Sequence, residues 1–223
     1  MLIRGLLVTV SIVLLVLSFQ VARAQSDEKK FEVGGQFSLL RLTATKAGVS
    51  FGEERVTVPG FGGRFGYNIS KHFALEAEGN FFPRDREIEG GRKIQGLFGV
   101  KAGKRFDKFG LFAKARPGFI RYEKGDYLLV RGCVQIFPPP LACFDPVART
   151  NFAFDLGAVL ELYPSKHTLI RFDAGDTIVR FGARNVAAVQ VSPFSGAPSL
   201  VVFPVSAETK HNFQGSVGFG FRF

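Results

Sequence analysis

The chain has no tryptophan, one methionine, three histidines and two cysteines among its 223 residues. Two thiols, Cys133 and Cys143, with no histidine nearby cannot supply a four-ligand thiolate–histidine centre. No cluster with metal-ligand spacing occurs elsewhere, and no glycine-rich phosphate loop opens a helix. Beyond the first residues no apolar run approaches the ~20 residues of a membrane-crossing helix, so any insertion must use strands. Acids are also in short supply, 19 against 29 lysines and arginines, for a formal charge of +10. Basic runs interleaved with aromatics are missing, which argues against a nucleic-acid groove. The positive charge suits anionic lipid head groups or acidic polysaccharide instead.

What is present begins with an export signature. Arg4 precedes the apolar run Leu6–Leu17, and Ala22-Arg23-Ala24 supplies the small residues of a cleavage site. A membrane-anchoring helix is the alternative, but the run is short for one. We expect a signal peptide over 1–24 and a single mature unit over 25–223. Loss of Arg4 and Arg23 lowers the formal charge from +10 to +8. In an exported chain, Cys133 and Cys143 read as a disulfide. Closing a loop of that size contributes about 3 kcal/mol in the chain-entropy model.

Phenylalanine and glycine, at 26 residues each, are abundant, and the phenylalanines fall on alternate positions. The last residues show it best: Phe213, Val217, Phe219, Phe221 and Phe223 alternate with Asn212, Gln214, Ser216, Gly218, Gly220 and Arg222. That is the period of a strand with one apolar and one polar face. The pattern recurs around residues 30–40, 60–69, 73–81, 94–103, 109–121, 152–162 and 170–178. Residues 43–58, 83–93, 122–150 and 181–209 read as long connections, and those between them as short turns. Pro117 lies inside the fifth segment, where it predicts a bulge or a missing ladder bond.

Eight segments with alternating long and short connections predict an all-β fold, an eight-stranded antiparallel transmembrane up-and-down barrel. Lipid would take the aromatic face, and closure would pair every backbone group. A lipocalin-like soluble barrel shares the strand count but turns its apolar residues inward. The bulky aromatic face and the glycine- and charge-bearing face favour the inverted, membrane arrangement. The connection pattern gives four long extracellular loops.

With Gly218-Phe219-Gly220-Phe221-Arg222-Phe223 at its end, the chain resembles the small eight-stranded outer-membrane β-barrel family, the architecture of OmpX and of the OmpA transmembrane domain. The resemblance covers nearly all of the mature chain. It implies location in the bacterial outer membrane, among outer-membrane lipid and lipopolysaccharide. It also implies that Phe219, Phe221 and Phe223 form a C-terminal insertion signal read by the barrel-assembly machinery. No peptidoglycan-binding domain is expected after Phe223.

Nine charges fall on the faces expected to point inward: Glu76, Glu78, Lys101, Lys114, Arg116, Asp155, Glu161, Arg171 and Asp173. An eight-stranded barrel is only wide enough for side chains to fill it, and a lone buried ion costs several kcal/mol. A plugging ion-pair network is the expectation, with a narrow ion path from the same charges as the sharper alternative. Acid–base catalysis by Glu76 and Glu78 would need access for a substrate. His72 and His167 sit in short turns and His211 opens the last strand, with no spacing that suggests a catalytic triad. Lys71, Lys104, Arg105, Lys108 and Lys166 at the turns, and Arg84, Arg86, Arg92 and Lys93 in the second loop, could meet lipid phosphates. No cofactor is expected. The chain reads as a non-enzymatic surface or envelope-structural protein acting through its loops. A pore for small or hydrophobic solutes is the alternative, and a lipid-modifying enzyme the weaker one.

Overall fold

In a computed structural model, the structure describes residues 29–45, 53–84, 91–129, 144–191 and 198–223. Side chains are described over the same ranges except 43–45, 53–54, 124–129, 144–147, 186–191 and 198–203. The leader at 1–24 and both cysteines lie outside the described residues.

The strands are β1 (Phe31–Thr45), β2 (Glu53–Asn68), β3 (Phe73–Phe82), β4 (Lys93–Arg105), β5 (Phe109–Leu129), β6 (Phe144–Leu162), β7 (Thr168–Phe181), β8 (Arg184–Val191), β9 (Pro198–Val205) and β10 (Glu208–Arg222). Eight of them close an antiparallel barrel in the order β1-β10-β7-β6-β5-β4-β3-β2. From β1 to β7 each strand pairs with its sequence neighbours; β10 then pairs with β7 across the inserted β8 and β9, and closes the barrel by returning to β1. That seam runs from Glu32 opposite Arg222 to Arg41 opposite Phe213. The Phe31 N–H donates to the Phe223 carbonyl and the Phe223 N–H to the Phe31 carbonyl, each at 2.9 Å. The two rings lie 6.1 Å apart.

The alternation in the sequence sorts cleanly between the two faces. Phe37, Phe61, Phe65, Phe98, Leu111, Phe119, Phe152, Phe172, Phe213, Val217, Phe219 and Phe221 all point outward and are exposed. In water such a surface would be far larger than a monomer tolerates; in a bilayer it is the apolar band of a transmembrane barrel.

Three connections differ from the sequence expectation, because the strands outrun their apolar pattern. Residues 43–45 and 53–58 extend β1 and β2, and residues 122–129 and 144–151 lengthen β5 and β6. A membrane crossing takes about ten residues, whereas β5 has 21 and β6 has 19. Both start or end at a tight turn at one barrel end, so the excess projects from the other. There the register shifts between Tyr122 and Asp126. The connection expected over 181–209 contains β8 and β9, paired as a separate two-stranded sheet. At Pro117 the β4–β5 ladder is interrupted between the pairs Leu97/Gly118 and Val100/Ala115. The register is unchanged across the gap, so the missing pairing is found there and the bulge is not.

Placing a cation on the outward face at mid-band should cost about 2–4 kcal/mol in a bilayer. Phe98→Arg is expected to lower the urea midpoint of the barrel folded into lipid vesicles by a corresponding amount. Lys166→Arg, exposed in a turn, should leave it nearly unmoved, and equal shifts would contradict the outward assignment of Phe98.

Candidate functional site

The inward positions of the eight strands stack into tiers. All nine charges anticipated from the sequence are buried inside the barrel. Register explains part of their meeting: Arg116 lies directly opposite Asp155, and Glu161 opposite Arg171, the cross-strand opposite-charge pairs that stabilise sheets. Lys101 faces Lys114 across β4 and β5, a like-charge pairing that alone would be unfavourable. Their ammonium groups part company. Lys101 Nζ reaches Glu161 at 2.5 Å and Glu76 and Glu32 at 3.2 Å each. Lys114 Nζ reaches Asp155 at 3.1 Å and Asp173 at 3.4 Å.

Two arginines tie these groups together. Arg171 donates to both oxygens of Glu76, from Nη1 to Oε1 and from Nη2 to Oε2. It also grips Asp173 from Nε and Nη2 at 2.8 Å each. Arg116 donates to Glu78 at 2.6 Å and to Asp155 Oδ2 at 2.9 and 2.7 Å. Such forked guanidinium–carboxylate bonds are the strongest neutralising geometry a protein offers. They offset the desolvation of ions held in a low-dielectric interior.

Four further charged participants join these nine. Glu32, Arg64 and Arg222 sit on inward positions of the same alternation, so its polar face did carry the signal. Arg105 was expected to face lipid from a turn. It instead ends β4 pointing inward, where Nη2 donates to Glu32 at 3.1 Å and to Asn68 at 3.0 Å. Its Nε donates to the Tyr163 hydroxyl at 3.0 Å, and that hydroxyl donates to Glu161 at 2.8 Å. Arg222 lies 4.2 Å over the Tyr163 ring. Among the described residues the charged column thus holds seven cations (Arg64, Lys101, Arg105, Lys114, Arg116, Arg171, Arg222) and six carboxylates (Glu32, Glu76, Glu78, Asp155, Glu161, Asp173).

Toward the projecting end, charge gives way to amides. Gln36 donates to Asn80 at 2.8 Å, Asn80 to Gln95 at 2.8 Å, and Gln95 and Gln214 exchange bonds at 2.9 and 3.1 Å. Thr177 donates to Gln214 at 2.8 Å. Beyond the amides the interior is apolar: Leu40, Leu42, Val58, Phe82, Ile120, Ala153 and Val179 form one buried cluster. Val58, inside the connection expected over 43–58, belongs to this cluster as part of β2. Lys93, expected to meet lipid, is buried at this end, donating to the Gly91 carbonyl at 3.2 Å.

The histidines stay apart. His211 Nδ1 lies 2.5 Å from Asp176 on the outer wall, with 68% and 40% of the two side chains exposed. His167 Nε2 lies 3.1 Å from Lys29 Nζ at the turn end, and His72 is exposed. Among the described residues no three potential metal ligands come together. The insertion-signal residues Phe219, Phe221 and Phe223 face outward. In the second loop Arg92 pairs with Glu123 at 2.5 Å; Arg84 is exposed, and Arg86 lies outside the described residues.

The family profile described as outer membrane protein beta-barrel domain matches residues 10–223. Among solved structures, Neisserial surface protein A is 12% identical, covering 86% of this chain and 97% of its own, with a TM-score of 0.47. OprG of Pseudomonas aeruginosa is 11% identical, covering 88% and 97%, at 0.47. The attachment invasion locus protein of Yersinia pestis is 14% identical, covering 89% and 100%, at 0.43. No curated protein matches the sequence.

Removing one partner from the column leaves buried ions uncompensated, at a cost of about 3–5 kcal/mol. Arg171→Met should lower the urea midpoint accordingly. Adding Glu76→Gln should recover part of the loss, and simple additivity of the two would contradict their coupling. Burial, aided by the Glu161 carboxylate, raises the Tyr163 phenol above its ordinary value of 10.0. The unfolded chain releases that proton first, so stability holds below pH about 10 and falls as pH rises beyond it. Tyr163→Phe should reduce that alkaline loss in pH-dependent urea melts.

Proposed function

This chain belongs to the outer membrane protein beta-barrel domain family, and from that premise we propose that it is a non-enzymatic surface-interaction protein of the bacterial outer membrane, acting through its extracellular connections. One observation carries the reading: the barrel lumen is occupied by ion pairs, amides and an apolar cluster, while strand structure continues past the wall at one end. A filled eight-stranded lumen leaves no aqueous channel and no cleft in which a substrate could reach Glu76 or Glu78. The projecting ends of β5 and β6, with the β8–β9 hairpin, carry strand backbone beyond the wall, the kind of surface to which extended partners add.

Several parts of this reading rest on the sequence. Residues 1–24 act as the export signal, and Cys133 and Cys143 form a disulfide that ties the connection between β5 and β6. Phe219, Phe221 and Phe223 engage the barrel-assembly machinery during insertion. The nine-residue charge set serves as the structural plug of the lumen. Outer-membrane lipid and lipopolysaccharide surround the wall, meeting the exposed basic residues of both rims.

The test joins two measurements. Replacing residues 184–205 by a short turn should leave the gel-mobility difference between unboiled and boiled protein intact while reducing binding to host cells or matrix at least tenfold. In planar bilayers the intact protein should give no resolved conductance. Steady conductance with unchanged cell binding would replace this reading by the pore.

A further inference from the structure

The outer wall carries an open groove of about 400 Å³, bordered by Leu111 on β5, Ala158 and Leu160 on β6, and Phe172 and Ala174 on β7. Register explains its shape. Ala102, Ala113, Ala158, Ala174 and Gly215 stand side by side in one outward row across β4, β5, β6, β7 and β10. The next outward row toward the turn end reads Lys104, Leu111, Leu160, Phe172 and Val217. The row on the far side includes Leu156, Asp176 and Phe213. Bulk on both sides of a line of small side chains leaves a trough about 19 Å long at the ~4.8 Å spacing of neighbouring strands.

The trough has a direction. Followed once round the wall, the row from Phe213 through Leu75, Tyr67 and Phe31 returns to β10 at Phe223, 223 − 213 = 10 residues nearer the turn end. The rows therefore slope, and the small-residue row descends from Gly215 to Ala102. At its foot Lys104 is exposed, its Nζ 5.2 Å over the Phe106 ring. Lys108 is exposed in the adjoining turn, where Asp107 is the opposing carboxylate. The upper end is flanked by Asp176, paired with His211 at 2.5 Å. Cations at the foot and a carboxylate near the top admit an anionic head group at the foot alone.

We propose that this trough holds one acyl chain of an anionic phospholipid from the turn-end leaflet, with its phosphate against Lys104. A hydrocarbon core of about 30 Å gives each leaflet about 15 Å, and a trough running across tilted strands rises through most of that depth. Methylenes laid along the small side chains make the dispersion contacts that a void on the wall would forfeit. The lysine supplies the attraction for an acidic lipid. This inference rests on the lipid-facing wall and is independent of what the extracellular segments bind.

The experiment adds phosphatidylglycerol or phosphatidylcholine in rising amounts to the complete mature protein folded in detergent micelles, and counts bound lipid by native mass spectrometry. One phosphatidylglycerol should be retained, about fivefold more tightly than phosphatidylcholine, the effect of a single lysine at a membrane surface. Lys104→Gln should remove that preference, and Ala158→Leu should abolish retention of both lipids. Gly79→Leu adds bulk to the wall on β3, where a Cβ meets nothing within 4 Å, and should change neither. The comparison of the two lipids uses the unaltered protein, so it decides the matter even where a variant fails to fold. No retained lipid, equal retention of the two lipids, or retention unchanged by Ala158→Leu would each overturn the proposal, as would a dimer that Ala158→Leu disperses.

Discussion

Opposite charges held out of water are the interaction on which this molecule turns. Arg171 and Arg116 each clasp two carboxylates, and Asp173 and Glu76 are each approached by three cations. No strand supplies a self-sufficient set. Glu76 and Glu78 come from β3, Lys101 from β4, Lys114 and Arg116 from β5, Asp155 and Glu161 from β6, and Arg171 and Asp173 from β7. Each ion is tolerable only because the wall has curved round to bring its partners in. The outer face imposes the complementary demand: exposed phenylalanines require lipid, and lipid requires that no backbone donor be left open. Ring closure satisfies both conditions at once.

The interior is graded along its axis. Ion pairs occupy the turn end, a belt of amides follows, and Leu40, Leu42, Val58, Phe82 and Ile120 fill the projecting end. The grading follows from which inward positions hold which residue types, strand by strand, at matching heights in the register. It separates a stiff, polar base from a dry cap.

Much of this was legible in the sequence, because a period of two survives translation into structure with little distortion. The barrel strands, their order, the outward aromatics and all nine buried charges follow from alternation alone. The signal failed where alternation changes its meaning. In the upper part of β2 the alternation persists with its chemistry reversed: Val56 and Val58 turn inward while Arg55 and Thr57 are exposed, so it does not read as a lipid-facing strand. The apolar cap was missed for a related reason: Leu40 and Leu97 sit on faces that elsewhere are polar, and look like lapses in the pattern. Arg105 shows a third limit. A basic residue at a strand end can face lipid or lumen, and only the position of Glu32 on a distant strand decides.

The seam between β1 and β10 bears on how this object comes into being. Every other ladder of the barrel joins barrel strands consecutive in the chain, the widest gap being the one that β8 and β9 fill between β7 and β10, at modest entropic cost. The seam alone brings Val33 to Phe221, so it must wait for nearly the whole chain. Glu32 waits with it: its partners Lys101, Arg105 and Arg222 are gathered from the middle and the far end of the sequence. A nascent sheet can pair Arg116 with Asp155 and Glu161 with Arg171 across neighbouring strands, yet its inner face stays hydrated and Glu32 lacks its Arg222 until the last pairing is made. Formation of the wall and dehydration of its contents then become one event, and the history of the molecule has few stable halfway points.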